Sequence, residues 1–395
     1  MQLSFNELQY VVGTPETVEQ MQNIRPMRPF DNDVVAFLND LSAMLRSNRE
    51  YSDVATFGFW CRKAAVLREK EKYDDVAERL GKGIVFHSTP SNVPVNFAFS
   101  FAAGLLSGNA NIVRLPGKPF EQVTIISNAI NELVAEKHKN MAPYIVFVKF
   151  PPVKAITDTF SALCNVRVIW GGDLTVAELR QSKIPARTTE ITFADRHSIA
   201  VINADSYLAA ERKDVIIQNF YNDTYFSDQN ACTSPRIIFW LGDRKEEAKD
   251  DFWNRVHDKV KKEYTLAPVQ AVGKLNAMYS VASKKKVRVE KSEDMYVTRL
   301  DVEKIDSDLM NYKYNSGFYF EKNIENLREI KDVCDIRCQT LTYFGVKEED
   351  FRVFLEEVRP IGIDRIVPMG KSMDFTLIWD GYDLIRQMSR RVSII

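Results

Sequence analysis

The fold is decided by residues 83–108, which read GIVFHSTPSNVPVNFAFSFAAGLLSG. Residues 84–86 predict a short buried strand, and residues 87–92 predict a polar loop. Residues 93–107 predict an apolar helix, because Pro94 is tolerated in a first helical turn and Gly108 ends the apolar run. A strand, a loop and a helix in this order form the first unit of a parallel sheet.

The residues after Gly108 repeat this alternation. Predicted strands occupy residues 111–115, 144–150, 166–170 and 198–202, and predicted helices occupy residues 120–139, 154–163 and 174–182. The pattern indicates an α/β fold with a parallel, doubly wound sheet. Such sheets bind ligands beyond the carboxyl ends of their strands, which draws attention to the loop at residues 87–92 and to Gly171-Gly172-Asp173. A lone pair of glycines also marks tight packing, so this second turn is a weak signal.

Size and charge narrow the class of protein. A chain of 395 residues is too long for one ordinary core and predicts two or three domains. Apolar residues make up 45% and charged residues 27%, the composition of a globular enzyme. The 53 basic and 54 acidic side chains leave a net charge of −1, which predicts no nucleic-acid partner.

The cysteines and the apolar segments predict the compartment. The five cysteines are scattered and the chain has four histidines, so we expect neither a disulfide framework nor a metal site. No basic segment leads into an apolar one at the N-terminus. The longest apolar stretch, residues 93–106, is shorter than the ~20 residues of a membrane span. We therefore expect a cytoplasmic protein without a membrane span.

One cysteine has an unusual setting. Cys232 lies in the polar run Asp228-Gln229-Asn230-Ala231-Cys232-Thr233-Ser234-Pro235-Arg236, which we name the cysteine loop, and the apolar residues 237–241 follow as a buried strand. A thiol on a polar lip before a core strand can face a cleft, and its thiolate is the reactive form. The alternative is a packing role, because cysteines are among the most buried residue types.

These segments together resemble an aldehyde dehydrogenase superfamily protein, and more closely the LuxC-type family of fatty-acyl and acyl-CoA reductases. The resemblance runs from about Tyr51 to the C-terminus and depends on the order and spacing of short motifs. Besides the cysteine loop, these motifs are Phe59-Trp60-Cys61-Arg62, Pro90-Ser91-Asn92-Val93-Pro94, Gly108-Asn109, Ile112-Val113-Arg114, Trp170-Gly171-Gly172-Asp173, Cys338-Gln339-Thr340 and Trp379-Asp380-Gly381.

The resemblance implies a role for individual residues. It makes Cys232 the nucleophile and Asn92 a donor to the oxyanion that forms on the attacked carbonyl. A helix N-cap is the alternative role of Asn92. The resemblance also implies a nicotinamide dinucleotide site, to which it assigns Ser88, Thr89, Pro90, Ser91, Arg114, Lys118, Gly171, Gly172, Asp173 and Gln339.

Two departures from the superfamily pattern carry information. Phe193 occupies the position of the glutamate base with which dehydrogenases make free acids, so an acyl-cysteine would wait for hydride or a thiol; Asp195 is a candidate substitute base. After residues 112–114 the common carboxylate that holds the adenosine ribose is missing, whereas Arg114 and Lys118 offer two cations. Two cations favour a ribose 2′-phosphate, and therefore NADPH, with NADH left open.

The resulting hypothesis is an aldehyde-dehydrogenase-like acyl-thioester reductase. Residues 1–203 would form N-terminal helices and the dinucleotide-binding domain, residues 204–360 the catalytic domain, and residues 361–395 a return segment for oligomerisation. The expected substrate is acyl-CoA or an acylated carrier protein, and the expected assembly is a homo-oligomer or a complex with an acyl-donating protein. The rival hypotheses are a cysteine acyltransferase or thioesterase with His87 or His197 as base, and a non-catalytic subunit.

Overall fold

The computed structural model describes residues 8–90 and 93–394. These residues form two compact units. The first unit holds the described residues up to Ala194 together with those from Phe375 onward, and the second unit holds Asp195–Asp374.

The first unit alternates strands and helices. Its strands are β1 (Gln9–Val12), β2 (Arg79–Gly81), β3 (Ile84–Ser88), β4 (Ala110–Arg114), β5 (Ile145–Lys149), β6 (Val166–Trp170) and β7 (Thr189–Phe193). Its helices are α1 (Pro15–Met21), α2 (Asn32–Leu45), α3 (Ser52–Trp60), α4 (Lys63–Lys70), α5 (Asn96–Leu106), α6 (Glu121–Ala135), α7 (Lys154–Leu163) and α8 (Asp173–Leu179), with 3-10 turns at Val76–Glu78 and Lys139–Tyr144.

The first sheet has the strand order β1-β5-β4-β3-β6-β7. All neighbouring strands run parallel except β1, which pairs antiparallel with β5. From β3 the chain builds one half of the sheet through β4 and β5, and then returns to place β6 on the other side of β3. The parallel, doubly wound sheet that the sequence predicted is therefore confirmed, and β3 and β6 flank its topological switch point.

The second unit contains a seven-stranded sheet. Its elements are β8 (His197–Asn203), α9 (Ala204–Ala209), α10 (Lys213–Asp223), β9 (Pro235–Leu241), α11 (Lys245–Glu263), α12 (Pro268–Ala282), β10 (Val287–Val289), β11 (Thr298–Val302), β12 (Phe318–Asn323), β13 (Cys338–Phe344), α13 (Glu348–Val358) and β14 (Arg365–Pro368), with 3-10 turns at Tyr225–Ser227, Ser307–Tyr312 and Leu327–Val333. The strand order is β10-β11-β12-β9-β8-β13-β14, and only the edge strand β10 runs antiparallel to its neighbour. Apolar clusters cover both faces of the sheet.

The C-terminal residues return to the first unit. They form β15 (Ile378–Trp379), β16 (Tyr382–Asp383), α14 (Leu384–Met388) and β17 (Ser389–Arg391). β17 pairs antiparallel with β2. The Asn109 Nδ2 donates a 3.0 Å hydrogen bond to the Met388 carbonyl, which holds α14 beside the start of β4.

Three features differ from the sequence-based expectations. β8 was assigned to the first domain, but it lies inside the second sheet because it forms backbone ladders with both β9 and β13. Residues 361–374 belong to the second unit, whereas the later residues belong to the first. The sequence predicts N-terminal helices, yet this region also supplies the edge strand β1. Within residues 8–90 and 93–394, no helix has the length and apolar character of a membrane span.

Candidate active site

Cys232 is the accessible thiol of the chain. All five cysteines lie in the described ranges, and Cys232 is partly exposed whereas Cys61, Cys164, Cys334 and Cys338 are buried. Cys232 precedes β9 in the cysteine loop, so it lies at the amino-terminal edge of the second sheet. Burial raises the pKa of Cys164 to about 12, which keeps that thiol protonated and unreactive.

Gln229 holds the cysteine loop in place. Its Oε1 accepts hydrogen bonds from the backbone N–H groups of Gly317 (2.7 Å) and Phe318 (3.1 Å), and its Nε2 donates to the Pro235 carbonyl at 3.2 Å. Gln229 is fully buried and has a φ of 52°, in the left-handed region that non-glycine residues seldom adopt. A backbone held in such a conformation requires fixed contacts, and the amide of Gln229 supplies them.

Asp228 fixes the start of the same loop. Its carboxylate accepts hydrogen bonds from the Tyr264 hydroxyl and, at 3.0 Å, from the Gln270 Nε2. Tyr264 follows α11 and Gln270 lies in the first turn of α12, so both helices brace the loop. The loop that presents Cys232 is therefore a rigid feature of the second unit.

Two cations lie within electrostatic range of Cys232. Arg236 is almost fully buried, and burial lowers its pKa to about 10, while the Asp228 carboxylate and a thiolate at Cys232 act in the opposite direction. The pKa of Lys313 is lowered, first because nearby protein atoms reduce the hydration of its ammonium and then because of the charge of Arg236, while a thiolate at Cys232 acts in the opposite direction. A thiolate at Cys232 would thus be attracted by two positive charges, the setting in which cysteines react as nucleophiles.

The predicted cofactor residues of the first unit lie together at the carboxyl ends of the sheet strands. Ser88 is the last residue of β3, Arg114 the last of β4, and Gly171 follows β6, so all three lie at the carboxyl ends of adjacent strands. The Thr89 hydroxyl donates a 2.6 Å hydrogen bond to the Arg114 carbonyl and so links two of these ends. Pro90, Gly172 and the exposed Asp173 extend the same turns.

Arg114 and Lys118 differ in their surroundings. The Arg114 guanidinium lies over the Phe150 ring at 4.6 Å from its centroid, and burial lowers the pKa of Arg114. Lys118 lies in the exposed turn after β4. Arg114 therefore has a packing partner in the protein, whereas Lys118 extends from the surface of the turn.

Other predicted residues lie elsewhere. Ser91 and Asn92 are outside the described residues. Gln339 is fully buried on β13 in the second unit, where its backbone carbonyl accepts a hydrogen bond from the Asp364 N–H. Phe193 stacks on Trp170 with ring centroids 3.7 Å apart, and Asp195 is exposed.

Neither candidate histidine has the setting of a general base. His87 is fully buried between the Ser100 hydroxyl (2.8 Å) and the Asn111 Oδ1 (2.9 Å), and burial lowers its pKa to about 4. His197 is also buried, and it interacts with the buried thiol of Cys338. In the described part of the chain, no cluster of histidine, cysteine and acidic side chains has the arrangement of a metal site.

The comparison with protein families agrees with this arrangement. The model of the LuxC family, described as acyl-CoA reductase, matches residues 16–391. This chain belongs to the LuxC family. The family predicted from the motifs is therefore confirmed.

Relatives of this LuxC family member are distant in sequence. It is 22% identical over 334 residues to the long-chain acyl-protein thioester reductase of Vibrio harveyi, a match that covers 80% of this chain and 64% of the relative. The chain thus spans less than two thirds of the relative that it matches.

Solved structures show the same fold. Aldehyde dehydrogenase 21 from Physcomitrella patens aligns with a TM-score of 0.65 and 11% identity, covering 95% of this chain and 88% of that one. An NAD-dependent benzaldehyde dehydrogenase from Corynebacterium glutamicum aligns with a TM-score of 0.57 and 14% identity, covering 95% and 82%. The aldehyde dehydrogenase fold predicted from the sequence is therefore confirmed.

The sequence carries no local signal for several residues that surround Cys232. Gln229 and Arg236 belong to the cysteine loop, but their side-chain contacts reach β12 and the segment before it. Ser198, whose hydroxyl donates a hydrogen bond to the Cys232 carbonyl, and Lys313 both lie far from Cys232 in sequence. A polar residue near the start of a buried strand, such as Ser198 in β8, is only a weak signal of a functional site.

Proposed function

We propose that this chain reduces an acyl thioester to an aldehyde. The thiolate of Cys232 attacks the thioester carbonyl and the thiol of the donor leaves. The acyl group stays on Cys232 until a hydride adds to its carbonyl carbon, the C–S bond breaks, and an aldehyde and the Cys232 thiolate are released. The covalent route replaces one difficult displacement with two easier steps. Asn92 and backbone N–H groups at the cysteine loop are the proposed donors to the oxyanion.

One observation carries the proposal. Among five cysteines that all lie in the described ranges, Cys232 alone is partly exposed, and its loop is braced by Gln229 and Asp228. A packing role would place the thiol inside the protein, as with the other four. An accessible thiol near two cations on a fixed loop has the properties of a nucleophile.

The first sheet supports a nicotinamide cofactor. The residues that fit it are Ser88, Thr89 and Gly171 at the carboxyl ends of β3 and β6, where the strand order reverses. The bound cofactor would supply hydride. The benzaldehyde dehydrogenase of the same fold is named as NAD-dependent. Lys118, and Arg114 in part, favour the 2′-phosphate of NADPH over NADH.

The position of Phe193 favours reduction over hydrolysis. An acyl-cysteine is hydrolysed when a nearby base activates water. By resemblance to the superfamily, Phe193 occupies the position of that base, and its ring stacks on Trp170. The acyl group on Cys232 would therefore persist until hydride reaches it.

The rival hydrolase and acyltransferase functions have less support. They require a base that titrates near neutral pH and can reach the nucleophile. His87 is buried with both ring nitrogens bonded, and its pKa is near 4. His197 is buried beside Cys338 rather than at the surface.

The acyl donor is proposed as an acyl-CoA or an acylated protein. The family model names acyl-CoA, whereas the Vibrio harveyi relative is named for acyl-protein thioesters. Two assemblies remain predictions: a complex with an acyl-donating protein, and a homo-oligomer. A reactive thiol also suits the reducing cytoplasm.

The test combines two measurements on the wild type, Cys232→Ala and the control Cys164→Ala. The first follows NADPH absorbance with a panel of acyl-CoAs of different chain length and with an acylated carrier protein. The second follows covalent transfer of a radiolabelled acyl group to the protein. We expect the wild type and Cys164→Ala to be labelled and active, and Cys232→Ala to be neither.

Two outcomes would contradict the proposal. Label on Cys232→Ala would place the nucleophile elsewhere. Label on the wild type that turns over without NADPH or NADH oxidation would favour an acyltransferase or thioesterase instead.

A further inference from the structure

A second segment of the chain is joined to the cysteine loop by hydrogen bonds. We name residues 313–318 the facing segment. Its Asn315 Nδ2 donates to the Asn230 Oδ1 at 2.6 Å, and the Ser316 N–H approaches the Asp228 carbonyl at 3.4 Å. The next two N–H groups, of Gly317 and Phe318, bind the Gln229 amide as described above. The facing segment is therefore hydrogen-bonded to residues 228–230 of the cysteine loop.

Arg236 joins the start of the facing segment to the cysteine loop. Its Nη1 donates to the Tyr314 carbonyl at 2.8 Å and its Nη2 donates to the Gln229 carbonyl at 2.5 Å. One buried guanidinium thus bridges the two segments. Because Lys313 immediately precedes Tyr314, this bridge also fixes the backbone from which the Lys313 side chain extends.

The charges around Lys313 come from several elements. Arg236 and Arg337 disfavour its positive charge, whereas Asp195 and Cys232 favour it. Arg236 in turn interacts with Tyr319, Cys232 and Asp228. Lys313 has an exposed side chain, although nearby protein atoms still reduce the hydration of its ammonium.

We propose that Lys313 is the charge partner of the Cys232 thiolate, and that Arg236 is the positioning residue that holds Lys313 at the cysteine loop. Lys313 is suited to this role because it carries its ammonium on a flexible, exposed side chain of the facing segment, while Arg236 is committed to two carbonyls. The inference rests on the proposed assignment of Cys232 as the nucleophile, but not on the substrate or the cofactor.

The experiment measures alkylation of Cys232 by iodoacetamide between pH 5 and 10, without substrate or cofactor. Since the other four cysteines are buried, the fast phase reports Cys232, and Cys232→Ala gives the background. The variants are Lys313→Met, Lys313→Arg and the control Lys262→Met, which removes an exposed lysine of α11. Circular dichroism and melting temperature verify that each variant is folded.

We expect alkylation of Lys313→Met at pH 7 to be about three- to tenfold slower than wild type, with the pH profile displaced to higher pH, because an opposite charge favours the thiolate. Lys313→Arg should restore most of the rate, since it retains the charge. Lys262→Met should match the wild type.

Three results would overturn the inference. They are a wild-type profile for Lys313→Met, a failure of Lys313→Arg to restore the rate, and an equal loss in Lys262→Met, which would indicate a general effect of surface charge. The reductase assay is judged separately. If alkylation is slower in Lys313→Met but the wild-type protein does not oxidise NADPH or NADH with any acyl donor, the charge partner is supported and the proposed function is rejected.

Discussion

The Ser198 hydroxyl donates a 2.7 Å hydrogen bond to the backbone carbonyl of Cys232. The same oxygen accepts a 3.2 Å hydrogen bond from the Thr340 N–H on β13. The ladders of β8 with β9 and with β13 both lose register at this point. A side chain therefore replaces the missing backbone pairing, and it links the cysteine loop to the strand on the far side of β8.

Ser198→Ala should lower the free energy of unfolding by about 1–3 kcal/mol, because the buried Thr340 N–H loses its acceptor and the Cys232 carbonyl loses its donor. Turnover should also fall, since the backbone at the nucleophile is less well fixed. Chemical denaturation and steady-state assays on the same preparation measure both effects.

The control for this variant is Ser283→Ala. The Ser283 hydroxyl is exposed and donates to the Ser280 carbonyl at 2.9 Å, so its loss should change stability by less than about 0.5 kcal/mol. Equal stability of Ser198→Ala and wild type would show that water replaces the hydroxyl at no cost.

The first sheet was predictable from the sequence because its signals are local. The residues of β6 and the helix α7 were predicted with the bounds that the structure shows, Val166–Trp170 and Lys154–Leu163. Both are apolar segments between polar turns, so the period of the pattern decides the element. The edge strand β1 was missed because it pairs on only one side, and its four residues carry little pattern.

The surroundings of Cys232 were not predictable in the same way. The facing segment contacts the cysteine loop through backbone groups and through amide side chains such as Gln229 and Asn315. Such contacts depend on β9 and β12 being neighbours in the sheet, which no local pattern specifies. The sequence could therefore indicate a candidate nucleophile but not the charges that surround it.

Asn92→Ala should reduce turnover by roughly 10²-fold, the usual loss when one oxyanion donor is removed. This prediction comes from the motif alone, since Asn92 lies outside the described residues. The alternative of a helix cap is wrong, because Val95 is the N-cap of α5, so a purely structural role would instead lower the melting temperature with turnover unchanged. Melting temperature and turnover of the same variant distinguish the two roles.

His87 should make the protein less stable as the pH falls from 6.5 towards 4. Burial lowers the pKa of His87 to about 4, whereas a histidine in the unfolded chain has a pKa of about 6.5. Between these values the unfolded state binds a proton that the folded state does not, so the stability present above pH 6.5 is lost as pH falls. The loss should reach about 3 kcal/mol at most.

The measurement is urea denaturation of the wild type and His87→Gln at several pH values between 4 and 7.5. Glutamine retains a donor and an acceptor for Ser100 and Asn111 but does not titrate. Its stability should therefore change less over this range. Parallel curves for the two proteins would mean that His87 does not contribute to the pH dependence.

Cofactor choice should depend on Lys118 more than on Arg114. A ribose 2′-phosphate brings about two negative charges, and a charge-assisted hydrogen bond to it is worth about 1.5–3 kcal/mol. Lys118→Ala should therefore reduce kcat/KM for NADPH roughly tenfold and leave NADH nearly unchanged. Arg114→Ala should also lower the melting temperature, because its guanidinium packs on Phe150.

The double variant of Arg114 and Lys118 to alanine gives the sharpest test of the phosphate site. Its ratio of kcat/KM for NADPH to that for NADH should shift strongly towards NADH. Lys149→Ala is the matched control, because Lys149 ends β5 at the same edge of the sheet but one strand farther from the switch point. That control should retain the wild-type ratio. An unchanged ratio in the double variant would reject the phosphate site at Arg114 and Lys118, and an equal loss with both cofactors would show that these residues only brace the end of β4.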